Sequence, residues 1–174
     1  DVEMAKAGFA DGLRKIDTLV PQTEREEIIG NLILDLNKKF GLKLMENAKT
    51  VEGIESLDGG VLLKVIEEGK GDSPEPNSDV FADYIMIDAY GDTLDDSFRA
   101  KQFGRELPPF GLSTMMKGWK IAFPKMKRGG KYEFYVPFES TNTNVGGFES
   151  FKFYVELKDF GPQGSMAAPT GQQM

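Results

Sequence analysis

Apolar residues recur at helical spacing in the first fifty positions and at alternate positions in much of the rest. Phe9, Leu13, Ile16 and Val20 are separated by four, three and four positions, which places them on one face of a helix. Pro21 ends that run because proline lacks a backbone donor. The pattern therefore predicts a first helix that finishes near residue 20.

A second apolar stripe follows at the same spacing. Thr23 and Glu26 fit a capping box, in which a threonine and a glutamate three residues later satisfy amides at the start of a helix. Two helices alone cannot bury this much apolar surface, so they pack either on the following domain or on a second copy of the chain. The pattern leaves both alternatives open. The stripe consists of Ile29, Leu32, Ile33, Leu36, Phe40 and Leu44.

Strand patterns dominate from residue 59 onward. The clearest lies at 151–157, where Phe151, Phe153 and the next two odd positions are apolar and the residues between them are polar. Such alternation is typical of a strand with one buried face. The stretch 131–136 alternates in the same way and predicts a second strand of this kind. The short apolar stretch 61–66 and the stretch 80–87 predict two more strands.

One short helix is predicted among these strands, at 113–126. Ser113 is a candidate N-cap, and Met115, Met116, Trp119 and Phe123 share one face. Strands around a single short helix indicate an α+β domain, with a twisted antiparallel sheet wrapped on the helix.

Composition divides the chain into four predicted parts. These are a helical region at 1–50, whose packing on the domain or on a second copy stays open here, a turn-rich linker at 51–58, the α+β domain at 59–160 and a flexible tail at 161–174. The first residue is Asp1, which leaves open whether the chain is a mature secreted protein or a truncated one.

The residue inventory restricts the chemistry. The chain has 174 residues with no cysteine and no histidine, which excludes disulfides, thiol nucleophiles and the usual transition-metal ligands. We therefore expect no cofactor and no metal. A net charge of −7 argues against nucleic-acid binding, and no apolar run is long enough for a transmembrane segment. Catalysis would have to use carboxylates, hydroxyls, amides or a shaped apolar cavity.

Several short motifs in order resemble one family, the FKBP-type prolyl isomerases of the two-domain Mip/FkpA kind. The resemblance covers most of the chain from Asn47 to Phe160. The motifs include the opening strand at 60–71, Asp83-Tyr84, the segment 91–97, Phe110-Gly111-Leu112, the segment 115–119, the segment 126–131 and the closing strand at 153–157.

The resemblance implies a peptidyl-prolyl cis/trans isomerase that binds proline-containing polypeptides and assists folding as a chaperone. It also implies a homodimer through the N-terminal helices, in the periplasm or at the outer membrane of a bacterial envelope. Trp119 would form the floor of the pocket, Asp95 and Tyr84 would be catalytic, and the amide of Met116 would face the substrate carbonyl. The full substrate-binding set implied is Tyr84, Leu94, Asp95, Phe110, Met115, Met116, Trp119 and Phe153.

The chain departs from the family pattern at the pocket rim. Leu94 replaces an aromatic residue, Met86 a glycine, and Asn142 a tyrosine in a shortened flap. Pro124 also falls late in the predicted helix. The altered flap and Leu94 favour a second hypothesis, a catalytically weak or inactive FKBP-like binding module, whereas the retained Asp95, Tyr84 and Trp119 favour catalysis. A third is an interaction protein in which the helices matter more than the pocket.

Overall fold

The computed structural model describes residues 21–141 and 147–166. Contacts divide the chain into two units, one ending at Asp35 and the other beginning at Leu36. The domain limits predicted at residues 50, 58 and 160 remain predictions, because this division of the contacts falls at a different position. The predicted first helix, with Phe9, Leu13, Ile16 and Val20, lies outside the described residues.

The predicted second helix is present as α1, Gln22–Lys49. It begins one residue before the predicted cap, so Thr23 lies inside the first turn instead of capping it. The carbonyl of Pro21 accepts a 3.0 Å hydrogen bond from the amide of Arg25 and so starts the helix. A proline is tolerated there because the first amides of a helix have no partner within it.

The second half of α1 packs on the sheet. Met45 and Ala48 share an apolar cluster with Leu62. Phe40 and Leu44, from the predicted stripe, flank the buried face and are only half-buried. The buried residues of α1 are Asn37, Gly41, Met45 and Ala48, which lie on one helix face.

The predicted antiparallel sheet is confirmed. The spatial order is β1-β2-β6-β7-β3-β4, and β5 pairs separately with β3. The described residues form β1 Ile54–Ser56, β2 Leu62–Glu67, β3 Asp79–Asp88, β4 Thr93–Asp96, β5 Phe110–Gly111, β6 Lys131–Val136 and β7 Phe151–Gly161.

Strand β1 corrects the prediction for 51–58, which gave this segment no strand. It pairs antiparallel with β2, with Ile54 opposite Lys64 and Ser56 opposite Leu62. Only three residues form it, too few for an alternating pattern to be recognised.

Strand β7 lies at the centre of the sheet, between β6 and β3. Phe153, Val155 and Leu157 are fully buried, as the alternation predicted. Phe153 stands opposite Met86 on β3 and opposite Phe134 on β6. Because directly opposed residues share a face, these three side chains point to the same side of the sheet.

The short helix is smaller than predicted and starts later. It is α3, Lys117–Ala122, with 3₁₀ turns before it at Leu112–Thr114 and after it at Phe123–Lys125. Ser113 therefore lies in the preceding turn, and Met116 takes the N-cap position. Pro124 falls at the start of the second turn. The missing amide of a proline costs no hydrogen bond there.

A glycine lets α3 approach the sheet closely. A Cβ atom on Gly118 would lie 2.6 Å from Cγ2 of Val136 on β6, far inside contact distance. The absence of a side chain at this position thus sets the depth at which Trp119 sits on the sheet.

A second short helix, α2 at Ser97–Gln102, was not predicted. The carboxylate of Asp96 caps it by accepting a 3.0 Å hydrogen bond from the amide of Arg99. Of the predicted tail at 161–174, residues 161–166 are described. Gly161 is the last residue of β7, and the amide of Met166 donates to Asp79 at 3.2 Å. Residues 167–174 lie outside the described part.

None of the helices in the described ranges is both long and apolar enough to cross a membrane. The same ranges contain no group of three or more acidic side chains placed to hold a metal ion.

Candidate active site

Trp119 lies at the centre of an aromatic cluster between α3 and the sheet. Its side chain is only 4% exposed. Its ring stacks on Phe123 at 5.0 Å between centroids, while the rings around it meet it edge-on. These edge-on neighbours are Tyr84 at 5.3 Å, Phe110 at 5.3 Å, Phe153 at 5.2 Å and Phe134 at 6.1 Å.

The indole Nε1 of Trp119 is buried and has no hydrogen-bond partner among the described residues. An indole nitrogen can only donate, and a buried donor without a partner costs about 1–3 kcal/mol. The described rings that pack against the indole are all aromatic, so its surroundings are mainly apolar. Such a surface suits an apolar ring more than a polar group.

Tyr84 and Asp95 form the polar edge of this cluster. The hydroxyl of Tyr84 donates a 2.6 Å hydrogen bond to Oδ2 of Asp95. Oδ1 of the same carboxylate accepts a 2.9 Å hydrogen bond from the amide of Asp96. Asp95 is exposed, so this carboxylate faces solvent in a fixed orientation beside the aromatic rings.

Burial and the hydrogen bond to Asp95 raise the pKa of the Tyr84 hydroxyl well above its ordinary value. The hydroxyl therefore keeps its proton at neutral pH and acts as a donor. The pair consists of a neutral phenol and a carboxylate whose position is set by the phenol.

A buried network supports Tyr84 from behind. Its amide donates to the hydroxyl of Ser97 at 2.8 Å, and that hydroxyl donates to Asp83 at 3.2 Å. Asp83 is only 3% exposed, and its other oxygen pairs with Lys101 at 2.8 Å. The family motifs contain Asp83 and Ser97, but this network was not predicted. An acidic residue amid the apolar residues of β3 was the available signal.

Phe110, Met115 and Met116 close the cluster on the side of β5. All three are partly buried and pack against the core that contains Trp119. Phe110 stands opposite Val80 in the pairing of β5 with β3. The carbonyl of Met116 accepts the amide of Trp119 at 3.0 Å. The role predicted for the Met116 amide stays a prediction.

Leu94 is 54% exposed and lines an open cleft that it shares with Asp95. The other predicted residues come together in the structure, and Leu94 is not part of the core that they form or line. Asp95 joins this group through its hydrogen bond to Tyr84, and the remaining members are Tyr84, Phe110, Met115, Met116, Trp119 and Phe153.

Comparison with known proteins identifies this arrangement. Residues 71–158 match the family model described as FKBP-type peptidyl-prolyl cis-trans isomerase. The match covers about half of the chain and includes every predicted site residue, from Tyr84 to Phe153. The chain belongs to the FKBP family.

Individual relatives agree with this assignment. The peptidyl-prolyl cis-trans isomerase Mip of Coxiella burnetii is 34% identical over 89 residues, which are 51% of this chain and 37% of Mip. FkpA of Escherichia coli (strain K12) is 29% identical over 133 residues, 72% of this chain and 47% of FkpA. The chain thus spans less than half the length of these two relatives. The crystal structure of E. coli FkpA shares the fold, with a TM-score of 0.69 at 23% identity over 93% of this chain and 83% of that one.

Within the FKBP fold, Met86 occupies a position where the family resemblance leads us to expect a glycine. It stands opposite Asp95 on β4 and opposite Phe153 on β7, so its side chain is on the pocket face. Met86 is partly buried against the core that holds Trp119. A thioether side chain therefore adds apolar surface beside Asp95. Asn142, where the FKBP flap has a tyrosine, lies outside the described residues.

Proposed function

We propose that this chain is a peptidyl-prolyl cis/trans isomerase that holds Xaa-Pro segments of client proteins against Trp119 and so assists their folding. One observation carries the proposal. The Tyr84–Asp95 hydrogen bond of 2.6 Å fixes a carboxylate at the edge of a dry aromatic cluster. Membership of the FKBP family and the names of the relatives support it.

The reaction needs no bond cleavage and no cofactor. The barrier to amide rotation is about 18–20 kcal/mol because resonance gives the C–N bond partial double-bond character. An apolar cavity that seats the proline ring favours the twisted, less resonant amide over the planar one. The rings of Trp119, Phe110 and Phe153 supply such a surface.

Asp95 and Tyr84 would act on the polar side of the twisted bond. The protonated Tyr84 hydroxyl holds one oxygen of Asp95, so the carboxylate keeps its direction without help from substrate. A positioned carboxylate at the rim would orient the backbone of the bound segment, and preorganised groups of this kind act without a reorganisation cost. The backbone amide of Met116 would donate a hydrogen bond to the substrate carbonyl.

A protease-coupled assay with a Leu-Pro peptide tests the proposal. We expect Asp95→Asn and Tyr84→Phe each to lower kcat/KM, and the double variant to be no worse than the poorer single one, because the two groups act as a pair. Asp92→Asn is the matched control, since this exposed carboxylate lies in the same hairpin outside the aromatic cluster. Wild-type turnover no faster than that of the double variant would overturn the catalytic proposal.

One observation favours the second hypothesis, a non-catalytic binding module with chaperone behaviour. Leu94 is exposed and leaves the rim without the aromatic wall that the family resemblance implies. The test measures whether wild type and the Asp95→Asn variant suppress the aggregation of an unfolded client. Equal suppression by both proteins, without measurable isomerisation, would support the binding module. Loss of both activities in the variant would count against it.

The homodimer through the N-terminal helices also remains a proposal. Ile28, Ile29, Leu32 and Ile33 on α1 are 49–56% exposed, which leaves a cluster of large apolar side chains in contact with water. Light scattering of the whole chain should give a dimer mass, and Ile29→Glu with Leu32→Glu should give a monomer. Asn31→Asp, at an exposed polar position, is the control. A monomeric wild type would overturn the proposal.

A location in the periplasm or at the outer membrane rests on a relative's name. A protein of Legionella longbeachae, 24% identical over 170 residues covering 86% of this chain and 71% of that protein, is named outer membrane protein MIP. Fractionation of host cells should recover the protein with the envelope, and recovery with the cytoplasm would refute this location.

A further inference from the structure

An open cleft of about 500 Å³ lies beside the polar edge of the aromatic cluster. It is formed by β4, α2 and the turn after α2, and we call it the basic cleft. Asp95 belongs both to this cleft and to the pair with Tyr84, so the cleft begins where the proline pocket ends. The side chains that define it are Leu94, Asp95, Asp96, Arg99, Phe103 and Arg105.

The acidic and basic groups of the cleft differ in what they already bind. Asp95 accepts hydrogen bonds from the Tyr84 hydroxyl and the Asp96 amide. Asp96 accepts the amide of Arg99 as the cap of α2. The guanidinium groups of Arg99 and Arg105, in contrast, form no ion pair with any described residue. Each guanidinium has five donors in a planar fork that matches a carboxylate. The guanidinium donors of the cleft are therefore available to a ligand, whereas each of its two carboxylates already accepts at least one hydrogen bond.

Two large apolar side chains complete the lining. Phe103 is 70% exposed and Leu94 is 54% exposed. Single exposed apolar residues are common, but these two lie in one cleft with two guanidinium groups that form no ion pair with a described residue. A peptide segment with an acidic side chain and some apolar surface would contact both kinds of lining.

We propose that the basic cleft is a subsite for an acidic residue that flanks the Xaa-Pro bond of the client, held by Arg99 and Arg105. This inference rests on the proposed function, because the cleft adjoins the pocket that would hold the proline. Because the cleft holds two carboxylates beside its two guanidinium groups, it can attract a single carboxylate seated against the arginines but not an extended polyanion. The net charge of −7 likewise disfavours a nucleic acid.

The test measures binding and turnover with one set of labelled peptides. The peptides share a Leu-Pro core and carry glutamate, glutamine or lysine at the position before or after it. Fluorescence anisotropy gives the affinity, and exchange NMR gives the isomerisation rate. Wild type should bind the glutamate peptide roughly threefold to tenfold more tightly than the glutamine peptide at one of the two positions. This preference should shrink as salt is added.

The decisive variant is Arg99→Gln with Arg105→Gln, which should bind the glutamate and glutamine peptides equally well. Both arginines are exposed, so circular dichroism should show an unchanged fold. Lys39→Gln with Lys43→Gln is the control. These lysines are exposed on α1, and their replacement changes the net charge by the same amount. The control should keep the preference for glutamate.

The outcomes separate the two proposals. Equal binding of glutamate and glutamine peptides by wild type, or a preference that survives in the arginine variant, would overturn the acidic subsite even if isomerisation is fast. A glutamate preference that depends on the arginines, without any isomerisation, would support the subsite and overturn the catalytic proposal. If no peptide binds, both proposals fail.

Discussion

The hydroxyl of Tyr90 donates a 2.6 Å hydrogen bond to Oδ1 of Asn37 and so joins the turn after β3 to helix α1. Asn37 in turn donates from Nδ2 to the carbonyl of Gly147 at 2.7 Å. Asn37 is only 8% exposed, and the rings of Phe40 and Tyr90 lie 4.8 Å apart beside it. One buried side chain on α1 therefore holds the hairpin that carries Asp95 and the segment that follows residues 142–146.

This arrangement predicts unequal effects of two substitutions. Asn37→Ala should lower the free energy of unfolding by about 2 kcal/mol, because it removes two hydrogen bonds and leaves the partly buried carbonyl of Gly147 without its partner. Tyr90→Phe removes one bond and should cost about 1 kcal/mol. Urea denaturation of both single variants and the double variant measures the difference.

Asn31→Ala, at an exposed position of the same helix, is the control for helix propensity. The double variant should be little less stable than Asn37→Ala alone, since the Tyr90 hydroxyl has already lost its acceptor. Fully additive effects would show that the two residues act separately.

Close packing at Gly118 leads to a second prediction. Gly118→Ala would force a Cβ atom against Val136 and should destabilise the protein by about 1–3 kcal/mol, as overpacking of a core does. Thermal denaturation should show a lower melting temperature. If the helix shifts, Trp119 shifts with it, so its fluorescence spectrum should change as well.

Gly30→Ala is the matched control because this glycine also lies within a helix, and a methyl group added to it would have nothing within 4 Å. The substitution should stabilise α1 by about 0.5–1 kcal/mol, the usual difference in helix propensity. A neutral Gly118→Ala variant would contradict the close approach of α3 to β6.

How much of this fold the sequence predicts depends on the length of each local pattern. Strands β6 and β7 alternate over six or more residues, and β3 carries a long, mostly apolar run. The predicted stretches 80–87, 131–136 and 151–157 all end within four residues of the observed strand limits. Strand β1 has three residues and β5 has two, so these segments are strands because of the strands they pair with and not because of their own composition. The cap of α3 was misplaced because Ser113 is the better cap by residue type, whereas the observed N-cap is Met116, which packs against the core and makes no side-chain cap bond.

The candidate site shows the same limit. Ordered motifs pointed to Trp119, Tyr84 and Asp95 one by one, because a family resemblance carries the register across the chain, but the hydrogen bond between Tyr84 and Asp95 was not predicted. The network of Asp83, Ser97 and Lys101 joins β3 to α2 through side chains 14 and 18 positions apart. No local sequence pattern indicates which residues so far apart along the chain will be in contact. The basic cleft was missed for the same reason, since α2 itself was not predicted.

The buried network behind Tyr84 leads to a third prediction. Ser97→Ala removes the acceptor of the Tyr84 amide and a donor to Asp83, both in a fully buried position. We expect a loss of about 1–3 kcal/mol in unfolding free energy. Because Tyr84 would lose its support, kcat/KM for a Leu-Pro peptide should fall as well.

Ser113→Ala serves as the comparison, since this serine is exposed in a turn at the other end of the site. It should change stability by no more than about 0.5 kcal/mol. An Asp95→Asn, Ser97→Ala double variant distinguishes the support that Ser97 gives to the Tyr84–Asp95 pair from its general contribution to packing. If Ser97 acts through the Tyr84–Asp95 pair, its substitution should reduce turnover only while Asp95 is intact.

The raised pKa of Tyr84 makes a fourth prediction about alkaline solution. In the unfolded chain the phenol ionises near pH 10, whereas in the folded protein burial and Asp95 keep its pKa well above that value. Between these two values the folded state binds more protons than the unfolded one, so stability present below pH 10 is lost as the pH rises. The full linkage slope is about 1.4 kcal/mol per pH unit, and the partial exposure of the ring reduces it. We therefore expect wild type to lose about 1 kcal/mol more than Tyr84→Phe between pH 9 and pH 11. Urea denaturation at several pH values measures both. Tyr90→Phe is the control, and parallel pH profiles for wild type and Tyr84→Phe would show that Asp95 does not hold the phenol in its neutral form.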